Sequence, residues 1–186
     1  RRSAAAEPER YVWKINLEED ENMNENMNEN TAGKVSSFVD SVYRLFVEIE
    51  SWIASTNLKG IQQEIEISEE ASGKYKVNKL TLQDEDGKKI AEFLPVGTFI
   101  IGGNGRIDLN GTIDKAIIVN LKTGGPSMTT TTTVGDHAET RTNSFYEGID
   151  QQGWYWIEDR RRGKANFFIK DLFVELLREV SDYELS

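Results

Sequence analysis

The stretch FLPVGTFIIGGNGRIDLNGTIDKAIIVNL, Phe93 to Leu121, decides the fold. It is the most apolar part of the chain, and glycine interrupts it at intervals. Thr98 to Ile101 is β-branched and aromatic, which suits a pleated, buried surface. Gly102-Gly103-Asn104-Gly105 follows, and glycine and asparagine tolerate the positive φ that tight hairpins require. Arg106-Ile107-Asp108-Leu109 then alternates charged and apolar residues, as in a strand with one wet face. Asn110-Gly111 is a second turn signal. Beyond it, Ala116-Ile117-Ile118-Val119 is continuously apolar, the pattern of a strand covered on both faces. Together these predict the centre of an antiparallel sheet. A phosphate-cradling glycine loop would need a different glycine spacing and a helix directly after it. Here a strand follows, so GGNG reads as a hairpin connection.

Further strands are predicted on both sides of this centre. Upstream, Gln63 to Ile67 alternates cleanly and Glu69 to Gly73 reads as a turn. Tyr75 to Leu82 is a strand whose apolar phase changes between Val77 and Leu80, the mark of a bulge or an edge. Asp84-Glu85-Asp86-Gly87 is a hairpin turn leading into Lys89 to Phe93. Its Asp-x-Asp-Gly lacks the further oxygen ligands and distal glutamate of a calcium loop, so turn chemistry explains it. Downstream, residues 122–142 contain Thr123-Gly124-Gly125-Pro126, five threonines from Thr129 to Thr133, and Gly135-Asp136. β-branching favours an edge strand there, while the flanking glycine and proline favour a loop; the reading taken is a long mobile loop. Asn143 to Ile149 and Trp154 to Glu158 are predicted to pair as a hairpin around 150–153.

Two helices flank the strands. Between Val35 and Ile53, apolar residues recur at three and four, including Phe38, Phe46 and Trp52. Ser36 or Ser37 would cap its start and Thr56-Asn57 would end it. Near the C-terminus, Phe167 to Val180 places Ile169, Leu172, Phe173, Leu176 and Val180 on one face, with Asn166 as N-cap. Helices segregated from strands in sequence imply an α+β fold. The expectation is a mainly antiparallel, strongly twisted sheet of about seven to nine strands. One long N-terminal helix and one C-terminal amphipathic helix pack on it.

Residues 1–33 read as an arm ahead of a single domain, 34–186. Tyr11, Trp13, Ile15 and Leu17 fall on one face of an extended strand that would need a docking partner. Residues 18–33 carry Glu18, Glu19, Asp20, Glu21, Glu25 and Glu29, a tandem Glu-Asn-Met-Asn repeat and no basic residue, and read as a polar linker. The chain has 186 residues and a net charge of −10; without those six acids the remainder carries −4. Overall acidity therefore does not exclude a local basic patch. No apolar run is long enough to span a bilayer, and no signal-peptide core follows the first ten residues. There is no cysteine, which excludes disulfides, thiolate metal sites and a cysteine nucleophile within these residues. It also fits a reducing compartment, and the expected location is cytoplasmic.

Catalytic chemistry is weakly represented. The one histidine, His137, cannot by itself build a two-histidine metal site, and it falls in the threonine-glycine loop. Asp108, Asp114, Glu158 and Asp159 are candidates for a carboxylate-only metal site near strand ends. The strongest local signal is Trp154 to Lys164. Trp154 and Trp156 share a strand face with Tyr155 opposite, and Arg160, Arg161, Arg162 and Lys164 follow just before the last helix. Basic side chains, a glycine and a helix start together suit an anion or nucleic-acid site, with the tryptophans stacking bases. The plainer reading puts the tryptophans in the core and the arginines on a solvated turn paired with nearby acids. The acidic segment 18–29 docking on Arg160 to Lys164 is a further reading.

The functional expectation is a non-enzymatic interaction or assembly module without cofactors. It would bind a protein partner, or a second copy, through Tyr11, Trp13, Ile15 and Leu17. The alternatives are nucleic-acid or phosphate-ligand binding through 154–164 and, more weakly, a carboxylate-metal hydrolase.

Overall fold

The structure is a computed structural model that describes residues 17–100, 102–134, 137–159 and 163–185. It is an α+β fold. Helix α1 (Leu17–Ile53) precedes strands β1 (Lys59–Glu69), β2 (Gly73–Gln83), β3 (Lys89–Gly97), β4 (Arg106–Asn110) and β5 (Lys115–Leu121). Strands β6 (Ser127–Val134), β7 (His137–Ser144), β8 (Gly153–Asp159) and β9 (Lys164–Phe167) follow, and helix α2 (Lys170–Ser181) ends the series. Seven strands form one antiparallel sheet in the order β1-β2-β3-β4-β5-β8-β9; β6 and β7 pair separately.

The glycine-punctuated stretch supplies β3, β4 and β5, the middle of the large sheet. β4 alternates strictly, with Ile107 and Leu109 buried. On β5, Ala116 and Ile118 enter the main core, while Val119 packs on a second cluster behind the sheet. The covering of both faces read from that run is thus present. Thr98 to Ile100 are not strand; they open the connection from β3 to β4 that continues through the glycines. The connection is built close: a Cβ on Gly105, whose φ is 153°, would fall on the Phe38 ring. Pro95 lies inside β3 where the register to β4 shifts, a position at which the missing N–H is tolerated.

Both helices pack on the same sheet face around one core. Phe38, Val42, Leu45, Phe46, Ile49 and Ile53 of α1 are buried, as the spacing predicts. Phe93 at the sheet centre meets Phe46 of α1, Phe168, and Phe173 of α2 at ring separations of 6.2–6.3 Å. Helix α1 stops as expected: the Thr56 hydroxyl and amide both donate to Ile53 O, at 2.8 and 2.9 Å.

Four local expectations are corrected. Residues 18–33 are helix rather than linker, so Ser36 and Ser37 lie inside α1 and do not cap it. The segment contains no proline, and its acidic opening suits the positive end of a helix dipole. Ser127–Val134 and His137–Ser144 pair as a β-ribbon rather than a loop, because threonine's β-branching prevails over the flanking Gly and Pro. β8 pairs with β5 and β9, not with 143–149. Residues 145–149 instead run beside β9, where Glu147 N donates to Gly163 O and Glu147 O accepts from Ala165 N. Helix α2 begins at Lys170; Phe167 and Asn166 belong to β9, whose pairing with β8 claims them, and Ile169 is the N-cap residue.

The phase change in β2 is real but is not a bulge against β1, whose register runs unbroken from Lys59↔Gln83 to Glu69↔Gly73. Leu80 and Leu82 are buried at one end, Val77 at the other. The switch falls where pairing to β3 begins, at Leu80↔Phe93. Beyond that point β1 and β2 form a two-stranded ribbon, which is free to twist more strongly and turns its buried face. The Glu69 carboxylate bridges the gap that results. It accepts from Thr98 N at 3.1 Å, Phe99 N at 2.9 Å and the Tyr75 hydroxyl.

On the polar sheet face, Glu92 receives Lys79 at 2.9 Å and Lys89 at 3.1 Å. Burial opposes its ionisation, but the two lysines outweigh burial and hold its carboxyl below the usual glutamate range. With the folded-state pKa depressed, the unfolded chain takes up the proton first. The stabilisation is complete above about pH 4.3 and is lost as pH falls through the folded value. Glu92→Gln is expected to cost about 1 kcal/mol at neutral pH. Urea titrations should show the gap to wild type closing on acidification; a gap independent of pH would refute the assignment.

Candidate functional site

The structure divides the basic-aromatic segment rather than assembling it. Trp154 is 7% exposed, packs against Phe38 at 6.5 Å and donates its indole N–H to Ser41 O at 3.3 Å. Its ring is core and presents no face to a base. Trp156 is half-buried against the same core, and Tyr155 faces the second cluster, edge-on to Phe167. The alternation read from the sequence therefore holds, with Trp154 and Trp156 on the side of the helices. Lys164 is exposed at the start of β9. Arg160, Arg161 and Arg162 lie outside the described residues, as do Tyr11, Trp13 and Ile15. Leu17 is the first residue of α1.

The carboxylate candidates are occupied or scattered. Asp108 holds Arg106 in a two-pronged pair, Nε to Oδ1 at 2.6 Å and Nη2 to Oδ2 at 2.9 Å. Those hydrogen bonds, against burial, raise the Arg106 pKa further. Asp114 accepts from Lys115 N at 2.7 Å within its own turn. Asp114 and Glu158 do share a cleft of ≈ 310 Å³ where β5 and β8 part company. Among the described residues, no three His, Cys, Asp or Glu side chains are placed to hold a metal ion. His137 opens β7 opposite Val134.

The feature that most resembles an interaction surface is the ribbon of β6 and β7. Its register runs from Ser127↔Ser144 to Val134↔His137. Residues 127–130 and 140–144 are exposed along both faces, and Met128 is 52% exposed. The Thr129 and Thr142 hydroxyls join across the strands at 2.9 Å. The root is fixed to the body: Phe145 N donates to Pro126 O and Gly124 N to Ile149 O, and Ile149 is buried in the second cluster. Among the described residues β6 pairs with β7 alone, and no described strand lies on its other edge. The sequence signal, five consecutive threonines, was there to be read. What it lacked was a buried face, since alternation is the usual evidence for a strand.

Comparison with protein-family models, curated proteins and solved structures finds no match to this chain. No helix among the described residues is long and apolar enough to cross a membrane.

Proposed function

We propose that this chain is a protein-interaction or assembly module, not an enzyme, that binds by strand addition. One observation supports this above the others. β6, SMTTTTTV, is an eight-residue strand with no charge and with one edge that no described strand covers. Open edges recruit other strands unless charge, proline or a covering element blunts them. The sheet's own edge strand β1 is protected in that way, by Lys59, Glu64 and Glu66, the last two paired with Lys76 and Lys74. β6 carries no charged residue of its own, which suits an edge that is used. The complementary element is the N-terminal arm, where Tyr11, Trp13 and Ile15 alternate with polar and β-branched residues; Leu17, the fourth of that sequence pattern, belongs to α1. Offered to β6 of a second copy, it would add a strand through main-chain hydrogen bonds.

The test is the mass of the full chain by size-exclusion chromatography with light scattering at about 100 µM, well above a micromolar Kd. The wild type is expected to be larger than a monomer. Removing residues 1–16, or placing charge on the edge with Met128→Lys and Thr130→Lys, should each return it to a monomer with unchanged circular dichroism. A monomeric wild type would overturn self-assembly by this route.

The nucleic-acid reading retains the basic run but loses Trp154 as a stacking platform. It rests on Arg160, Arg161, Arg162 and Lys164 and calls for a steep salt dependence of binding.

A further inference from the structure

Ahead of the core, α1 lies over the β3–β4 connection, and the two enclose a polar cleft of ≈ 560 Å³. Lys34 enters from the helix; Thr98 and Asn104 come from the connection; Asn120, Lys122 and Gln152 form the opposite wall. The cleft is unusual for this chain in its charge. The protein has 32 acidic residues against 22 basic ones, yet among the described residues the cleft is lined by two lysines and no carboxylate. The carboxylate that holds the connection, Glu69, is engaged with Thr98 N, Phe99 N and the Tyr75 hydroxyl and does not line the cleft.

The wall is built before any ligand arrives. Asn104 N donates to Asn120 O at 2.7 Å, Asn120 N donates to Gly105 O at 2.8 Å, and the Thr98 hydroxyl donates to Asn104 O at 3.3 Å. Backbone pairing thus fixes the connection against β5. Asn120 is 5% exposed and lines the cleft. A primary amide at that position offers the cleft both a donor and an acceptor. Lys34 sits over the Phe99 ring, 5.6 Å from its centroid, which holds its ammonium at the rim. Ser37, Ser41, Asn120 and Gln152 also line the next depression along α1, so there is room for more than a bare ion.

We infer that this cleft binds a small anionic ligand, a carboxylate or phosphate on a body bearing hydroxyl or amide groups. Lys34 and Lys122 attract the charge, and a cleft with low-dielectric walls strengthens that attraction. Asn120, Asn104 and Gln152 recognise the polar body through donors and acceptors that a lysine pair alone lacks. The site is separate from the β6 edge and does not depend on self-assembly.

The test is an amide-resonance titration of the full chain at constant ionic strength. The probes are inorganic phosphate, citrate and glucose 6-phosphate, which separate phosphate from carboxylate and bare ion from ion-plus-body. At least one should produce saturable shifts at Asn104, Asn120 and Lys122 with a Kd below about 10 mM. The pair Lys34→Gln and Lys122→Gln should weaken it at least tenfold. The pair Lys74→Gln and Lys76→Gln, also exposed but at the β1–β2 tip, should leave it unchanged. Absence of saturable shifts with all three probes would overturn the inference. So would shifts that the Lys74 and Lys76 replacements weaken as much as the cleft replacements do.

Discussion

Phe173→Ala is expected to lower stability by about 4 kcal/mol, the upper range for emptying a core phenylalanine. Phe173 is fully buried and is the point at which three elements meet. Its ring lies 5.6 Å from Trp52 on α1, 6.2 Å from Phe93 on β3 and 6.5 Å from Phe168. Removing it opens a cavity between two helices and the sheet, and it deletes several aromatic contacts that each add about 1 kcal/mol beyond burial. The wall is made of rings fixed by other elements, so collapse to fill the space is costly. For a chain of this size the loss corresponds to a fall in Tm of about 12 °C. Urea unfolding should show a lower midpoint with an unchanged slope. Ile169→Ala is the contrast. Ile169 belongs to the same predicted stripe but stands exposed ahead of α2, and its replacement should cost under about 0.5 kcal/mol. A cost for Phe173→Ala near that of Ile169→Ala would refute the packing described.

Gly111→Ala is the second large effect, at about 3 kcal/mol. A Cβ there would fall on the Val180 carbonyl, part of the backbone of α2. That carbonyl is one of the orphan acceptors at the helix end, and it is satisfied by Ile113 N at 2.9 Å and Asp114 N at 3.1 Å. The Thr112 hydroxyl adds a bond to Ser181 O. The β4–β5 turn thus closes off the C-terminus of α2, and alanine would push the helix away and release these bonds together. Gly33→Ala should act in the opposite sense. A Cβ at Gly33 meets nothing within 4 Å, and the residue lies inside α1, so alanine should stabilise by about 0.5–1 kcal/mol. Denaturant midpoints that moved the same way for both variants would contradict either the helix through residue 33 or the docking at residue 111.

These two glycines show where reading the chain as a sequence stops. Asn110-Gly111 is legible as a turn, because its composition suits one. That the glycine is needed for the end of a helix far along the chain, at Val180, is not legible, because nothing local marks the approach. The same holds for β9. Its four residues, KANF, carry no strand pattern of their own, and β8 supplies the pairing that makes them a strand. The candidate site followed a similar course. The two faces of Trp154-Tyr155-Trp156 follow from alternation alone. Which face is core depends on where α1 crosses the sheet, and that crossing removed Trp154 from any ligand surface.

What the amino-acid order determined by itself is whatever depends on near neighbours. This includes the class, the two amphipathic helices, the central antiparallel strands and the turn at Asp84 to Gly87, because periodicity and turn chemistry act over a few residues. Tertiary structure alone decided what depends on distant partners. It set the insertion of the threonine ribbon between the paired strands β5 and β8, the face switch where β3 leaves β2, and the lysine-lined cleft between α1 and the β3–β4 connection. Each is made by groups far apart in the chain, and only folding brings them within hydrogen-bond or packing distance.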